Sequence, residues 1–360
     1  MKITRMRTAV VDIPFESPVG VGYAQLRSSG LVLIFLETDE GLVGEGLIFS
    51  LNAQFLDVLH ALARGLEPFV LGLDPNSDGA FGLRATAALR FFGMQGFSVM
   101  ACAGIEEALL DLRGKAAGLN VSRLLGACRD EILAYHSGDL WVNLSIDELQ
   151  ASAQRHLERG FRAMKMRLTG RLAIDAPRVR AVRDVVGPDV LLMADANQKM
   201  NVPEAIRLGC ALEEFNLTWL EEPVSAQDHA GEARVARAVR IPIASGESVY
   251  TSLGAKALLD HGSVDVLMPD LQRMGGPREF AKAAALAEAA QVRVSGHLFS
   301  EMTLGLMCSI SNADMLEFMP WVSPIYREQI ELDSNGRAIA SERPGWGFSF
   351  DPDQIKRFAI

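Results

Sequence analysis

Apolar and polar positions change rhythm twice along the chain. Ile3 to Val11 is rich in β-branched residues and Gly30 to Leu36 is a second apolar run; after a turn at Asp39, Glu40 and Gly41, Leu42 to Leu47 returns. That pattern predicts an antiparallel meander. From Ala53 to about Gly118 the spacing is helical, most clearly over Ala103 to Ala117, where Ile105, Leu109 and Leu112 recur at helical spacing. Beyond about residue 130, short apolar runs alternate with amphipathic stretches, the rhythm of a parallel sheet covered by helices. Strand ends are expected near Tyr135, Lys165, Asp195, Glu221, Gly246, Pro269, Ser295 and Glu317, with helices over Ile146 to Arg159, Ile174 to Val186, Val202 to Glu214, Gly254 to His261 and Arg278 to Ala290. Eight such strands over roughly 190 residues, with no Gly-rich dinucleotide fingerprint after the first, favour a closed (β/α) barrel over an open sheet. The chain divides into an N-terminal α+β module (1–122), a barrel (123–322) and a tail (323–360), expected to return to the N-terminal module.

Three acids stand at the ends of consecutive predicted strands: Asp195 in Leu-Met-Ala-Asp-Ala-Asn, Glu221 in Trp-Leu-Glu-Glu-Pro and Glu247 in Ala-Ser-Gly-Glu-Ser. Each lies 26 residues after the one before, the length of one strand, helix and loop, so the three converge at the C-terminal mouth of the barrel. Carboxylates gathered there repel one another unless a cation sits between them, and an all-oxygen set suits Mg2+. Capping of the following helix is the plainer reading for any one of them, but the equal spacing favours metal binding for the trio.

The next two strands end in Asp270 and His297. A carboxylate beside an imidazole fixes its tautomer and raises its basicity, the arrangement of a general base. Glu317, on the last strand, is read either as a donor to a developing oxyanion, if its pKa is raised, or as an ion-pair partner. Strand alternation puts Lys165 and Arg167 on one face, where two cations can neutralise a substrate carboxylate.

Composition narrows the partners. The chain has 360 residues, 49% of them hydrophobic, and a net charge of −10 with scattered Lys and Arg, which argues against nucleic acid. No apolar stretch is long enough to span a bilayer and the N-terminus lacks a signal-peptide core, so a cytoplasmic location is expected. Cys102, Cys128, Cys210 and Cys308 show no metal or redox spacing and are expected in the core.

Taken in order, Lys165-Met-Arg167, Asp195-Ala-Asn197, Glu221-Glu-Pro223, Gly246-Glu247, Asp270, His297 and Glu317, with Gly104-Ile-Glu and Gly114-Lys115 before the barrel, resemble the mandelate racemase group of the enolase superfamily over nearly the whole chain. The resemblance implies an α/β fold: a modified TIM barrel of the (β/α)7β type with an N-terminal α+β capping domain. Its loops, here Phe15 to Ala24 and Phe49 to Asn52, close the mouth, and Tyr23, Ser17 and Asn52 stand ready to read substrate hydroxyls. It also implies Mg2+ held by Asp195, Glu221 and Glu247, with the α-proton of a carboxylate removed to give an enediolate; members of this superfamily pair Lys or His bases with Mg2+ for that step. Asn197 is expected at the substrate α-hydroxyl or behind a ligand. Relatives are often dimers or octamers, which makes a homo-oligomer the expectation.

Arg167 departs from the family pattern, where a second lysine commonly serves as a base. Arginine stays protonated and acts as an electrostatic clamp. With one base, His297, the pattern favours dehydration of an acid sugar, an aldonate or aldarate, to a 2-keto-3-deoxy acid. The alternative is a racemase or epimerase of a 2-hydroxy acid; a catalytically silent relative is the third reading.

Overall fold

A computed structural model of the chain describes residues 1–20 and 25–360; Tyr23 lies outside the described residues. Strands β1 (Ile3–Gly20), β2 (Gln25–Thr38) and β3 (Val43–Leu51) form an antiparallel sheet in that order, and helices α1 (Leu56–Val70), α2 (Asp78–Leu89) and α3 (Phe97–Ala117) follow. β2 is apolar without alternation because both its faces are covered. Val32, Ile34 and Leu36 pack with the three helices, while Leu31, Leu33 and Phe35 join the core shared with the barrel and the tail. The sheet is therefore the middle layer that joins the cap to the barrel.

β3 lies directly on α3, and two glycines permit it. A Cβ on Gly44 would stand 2.1 Å from the Ala108 carbonyl oxygen, and one on Gly46 would stand 2.1 Å from that of Gly104. This contact fixes the height at which the end of β3 and the start of α3 reach over the barrel mouth.

Strands β4 (Glu131–His136), β5 (Ala163–Arg167), β6 (Leu191–Asp195), β7 (Leu220–Glu221), β8 (Ile243–Ser245), β9 (Val266–Leu267), β10 (Arg293–Gly296) and β11 (Ala313–Phe318) are all parallel, and β11 pairs back with β4 to close the ring. The interior is filled by Tyr135, Ala163, Met193, Trp219, Ala244, Val266, Met268 and Met315. Alternation then sends Met164 and Met166 outward under the helices and leaves Lys165 and Arg167 pointing inward.

Several expectations are corrected. The tail touches both domains: β12 (Arg337–Ile339) pairs antiparallel with β4 of the barrel, and Trp346 and the helix Pro352–Phe358 contact the cap. Helices His229–Ala238 and Ser300–Ser309 are additional to the expected elements; the first is short and Ala- and Arg-rich, and the second buries nearly every side chain and so shows no apolar stripe. Cys102 and Cys308 are buried, but Cys128 and Cys210 are exposed. Among the described residues no helix is long and apolar enough to cross a membrane.

Candidate active site

Parallel strands that end together deliver their last side chains to one place. Asp195 ends β6, Glu221 ends β7 and Glu247 follows β8; each offers a carboxylate oxygen, and these oxygens all lie within 4.8 Å of one another. Two oxygens on one magnesium ion, with bonds of about 2.1 Å, stand about 3 to 4 Å apart, so the trio is at or near liganding geometry. Asp195 and Glu221 are fully buried and Glu247 is partly exposed toward the mouth. Burial pushes Glu221 up to about 8; Lys165 opposes this, and the charges of Asp195 and Glu247 add to it. Such crowding is what a shared divalent cation relieves, so the donor set fits Mg2+ by number, by atom type and by charge.

Two cations brace the trio. The Lys165 ammonium lies 2.6 Å from Glu221 Oε1, 2.9 Å from Glu317 Oε1 and 3.9 Å from Asp195 Oδ2. Burial alone would lower its pKa, but Glu221 and Glu317 outweigh that and hold it protonated. Arg167 Nη1 donates to Asp195 Oδ2 at 2.5 Å, Nη2 donates to Ser137 Oγ at 3.3 Å, and the guanidinium lies over the Trp141 ring. Arg167 lines the mouth cavity, whereas Lys165 sits beneath the carboxylates and is not among its lining residues.

On the other side, His297 Nδ1 lies 2.7 Å from Asp270 Oδ2, and Asp270 Oδ1 accepts from the backbone N–H groups of Gln272 and Arg273. The carboxylate is thereby fixed before it meets the imidazole. With Nδ1–H donating to Asp270, His297 Nε2 faces the carboxylate trio, 3.2 Å from Glu247 Oε2. Burial would lower the His297 pKa, but Glu247, the Asp270 hydrogen bond and Glu317 outweigh it and raise it to about 9.

Glu317 makes the ion pair that was one of its two expected roles, 2.9 Å from the Lys165 ammonium. Burial pushes its pKa up, but Lys165, His297 and Arg167 hold it well below the usual carboxylate range, and Oε2 accepts from the Leu298 N–H at 2.7 Å.

Asn197 lines the cavity and also holds Asp195: its N–H donates to Asp195 Oδ1 at 2.7 Å and its Nδ2 to Oδ2 at 3.0 Å. Asn52 is not brought to the cavity. Its Oδ1 accepts from the Arg27 N–H and its Nδ2 donates to the Gln25 carbonyl, which ties β3 to β2. Ser17 faces a neighbouring cavity instead. His136 points away from the barrel axis, stacked on His156 at 3.7 Å between ring centroids.

Sequence reading missed four contributors. Glu222, beside Glu221 and with φ of 38°, is a further buried carboxylate, pushed well up by burial and by Glu247 and Asp195, and held by Gln198. Arg273 donates to the Glu247 carbonyl oxygen at 2.6 Å. Trp321 lines the mouth. Gln272 joins cap to barrel: its Oε1 accepts from the Phe49 N–H at 2.9 Å and its Nε2 donates to the Leu47 carbonyl at 2.8 Å.

Comparison with known proteins agrees with this arrangement. Residues 3–126 match the mandelate racemase / muconate lactonizing enzyme N-terminal domain, and residues 148–354 match the enolase C-terminal domain-like family. The chain belongs to the mandelate racemase group. The L-talarate/galactarate dehydratase of Salmonella typhimurium is 31% identical over 364 residues, which cover 99% of this chain and 91% of that one. A crystal structure of that species' L-talarate/galactarate dehydratase, liganded with Mg and L-lyxarohydroxamate, has a TM-score of 0.95 at 30% identity and covers 100% of this chain and 93% of its own. A racemase from Streptomyces coelicolor with bound magnesium has a TM-score of 0.93 at 30% identity, covering 99% and 100%.

Within this mandelate racemase group member, the Gln272 clasp predicts a measurable effect. Gln272→Leu leaves the Leu47 carbonyl and Phe49 N–H buried without partners, at about 1–3 kcal/mol each. Urea denaturation is expected to show that loss, and KM to rise several-fold with kcat less affected, because Phe49 roofs the cavity while the His297 dyad stays in place.

Proposed function

We propose that the protein is a Mg2+-dependent hydro-lyase that removes the α-proton of an acid sugar and expels its β-hydroxyl as water, leaving a 2-keto-3-deoxy acid. The observation that carries this is the opposition of one neutralisable base, His297 held by Asp270, to a carboxylate trio whose facing cation, Arg167, cannot act as a base. Relatives named as acid-sugar dehydratases, and their structures with Mg, support the same reading.

Asp195, Glu221 and Glu247 would hold the ion. When bound, Mg2+ stabilises the negative charge that develops on the substrate carboxylate as the α-proton leaves. His297 Nε2 takes that proton, and Asp270 stabilises the imidazolium through Nδ1. The electron pair of the broken C–H bond then expels the β-hydroxyl, which leaves as water with the proton carried by His297. The enol that remains becomes the ketone by proton transfer. Arg167 pairs with the substrate carboxylate side of the site and offsets its charge.

Two-base racemisation needs an acceptor on each face. Lys165 is clamped by Glu221 and Glu317, which hold it protonated and argue against its serving as the second base. The test is a library of mono- and diacid sugars with Mg2+, read by 2-keto acid formation and by exchange of the α-hydrogen with deuterium oxide. Keto-acid formation is expected. Exchange with inversion and no loss of water would replace dehydration with epimerisation.

A further inference from the structure

The polar side chains on the wall of the mouth cavity gather at its metal end. Arg167 and Asn197 hold Asp195, Asp270 holds His297, and Arg273 holds the Glu247 backbone. Gln272 spends both ends of its amide on the backbone of β3. Arg167 Nε and Asn197 Oδ1 have no partner of their own, but both side chains are tied to Asp195 and so stay at the metal end.

The remainder of the wall is largely apolar. The cap contributes Leu26 from β2, Leu51 from β3 and Met100 from α3, and the barrel loops contribute Leu298, Met319 and Trp321. Phe49 and Phe299 close the space between them, packed edge to face at 5.7 Å, and Phe49 lies parallel to Trp321 at 6.5 Å. The cavity runs from the His297 dyad up to these apolar side chains, so the part of a substrate beyond the reacting carbons would meet them. Because the strand ends carry the carboxylates and the cap lies over them, that tail points into the apolar roof. Among the described residues, this roof carries no lysine, arginine or histidine.

We infer that the substrate is a monocarboxylate with hydroxyls on its α- and β-carbons and an apolar, alkyl or deoxygenated, far end, and is neither a diacid nor a fully hydroxylated chain. This rests on the α-proton chemistry proposed above and narrows it. A second carboxylate would sit against Leu51, Met100 and Trp321 with its lost hydration uncompensated, and extra hydroxyls would lose water partners without gaining protein ones. Hydrophobic walls reject an added hydroxyl by about 100-fold at most, and an unpaired charge more strongly.

The experiment compares three substrate sets of matched stereochemistry on the Mg2+-loaded full chain: 2,3-dihydroxy-4-methylpentanoates, pentonates and hexarates. Both keto-acid formation and α-hydrogen exchange are measured. The expected result is a kcat/KM for the alkyl set about 10- to 100-fold above the pentonates and at least 100-fold above the hexarates. A preference for hexarates or pentonates would overturn the inference and leave the proton-abstraction reading standing. No exchange with any set would overturn both. Met100→Arg places a cation in the roof and is expected to raise the hexarate-to-alkyl ratio of kcat/KM at least tenfold. That ratio, taken on one preparation, is independent of the folded fraction, and an unchanged ratio would count against the placement of the tail.

Discussion

Replacing His297 with asparagine is expected to reduce keto-acid formation and α-hydrogen exchange together, by at least the upper end of the roughly 10²–10⁴-fold range of a positioned general base. Both readouts fall because the imidazole is required before the two reaction courses, elimination and exchange, diverge. His297 Nδ1 is committed to Asp270 at 2.7 Å, so Nε2 is the atom left for substrate. Asparagine keeps the Asp270 contact within reach and fills most of the same space, so Mg2+ binding by calorimetry should stay within a few-fold of the parent. Retained exchange in this variant would move the base elsewhere, with Lys165 the first suspect.

Asp270→Asn provides a separate signature. The base works only when unprotonated, so kcat/KM rises with pH through the His297 pKa. That pKa is held at about 9 by Glu247, by the Asp270 hydrogen bond and by Glu317, against the opposing pull of burial. A cation sharing Glu247 offsets the first of these, so the rising limb in the Mg2+-loaded protein lies below that value. Removing the Asp270 charge lowers it again: the limb moves to lower pH while the plateau drops, because the weaker base and the freed tautomer both slow proton removal.

Residues whose role comes from a strand end were readable from the chain; those whose role comes from the cap were not. Asp195, Glu221 and Glu247 repeat at one barrel unit, so their convergence follows from topology even though β7 is only two residues long. Lys165 and Arg167 follow from alternation in the same way. Gln272 carries no local sign of its function, because it bonds to Leu47 and Phe49, more than 220 positions earlier in the chain. Met100 and Leu26 read as ordinary core positions of a helix and a strand; only the packing of the cap on the barrel brings them to the mouth. Asn52 shows the opposite error. Its place in a predicted capping loop suggested substrate contact, but at φ of 54° its short amide is best satisfied by the backbone of its own hairpin. Glu317 depended on a neighbour: its pKa direction was decided by how close Lys165 lies, which spacing along the chain does not specify.

Glu221→Gln is expected to weaken Mg2+ binding by at least about 100-fold and to abolish turnover at ordinary Mg2+ concentrations, while changing the stability of the metal-free protein little. The substitution is close to isosteric, so the Trp219 indole and the Lys165 ammonium keep a polar neighbour, and Glu317 remains beside Lys165 as counter-ion. What is lost is one of three negative charges and the anionic oxygen that a hard cation prefers. Thermal melts with and without Mg2+ separate the two effects. At a concentration 100 times Kd, Mg2+ stabilises the parent by about 2.7 kcal/mol. At that same concentration the variant should show about 0.4 kcal/mol or less, since it would then be at or below its own Kd. An undiminished Mg2+-dependent shift in the variant would mean that the ion is held elsewhere, and Asp195 and Glu247 would then be neighbours of a site centred on other carboxylates, Glu222 first among them.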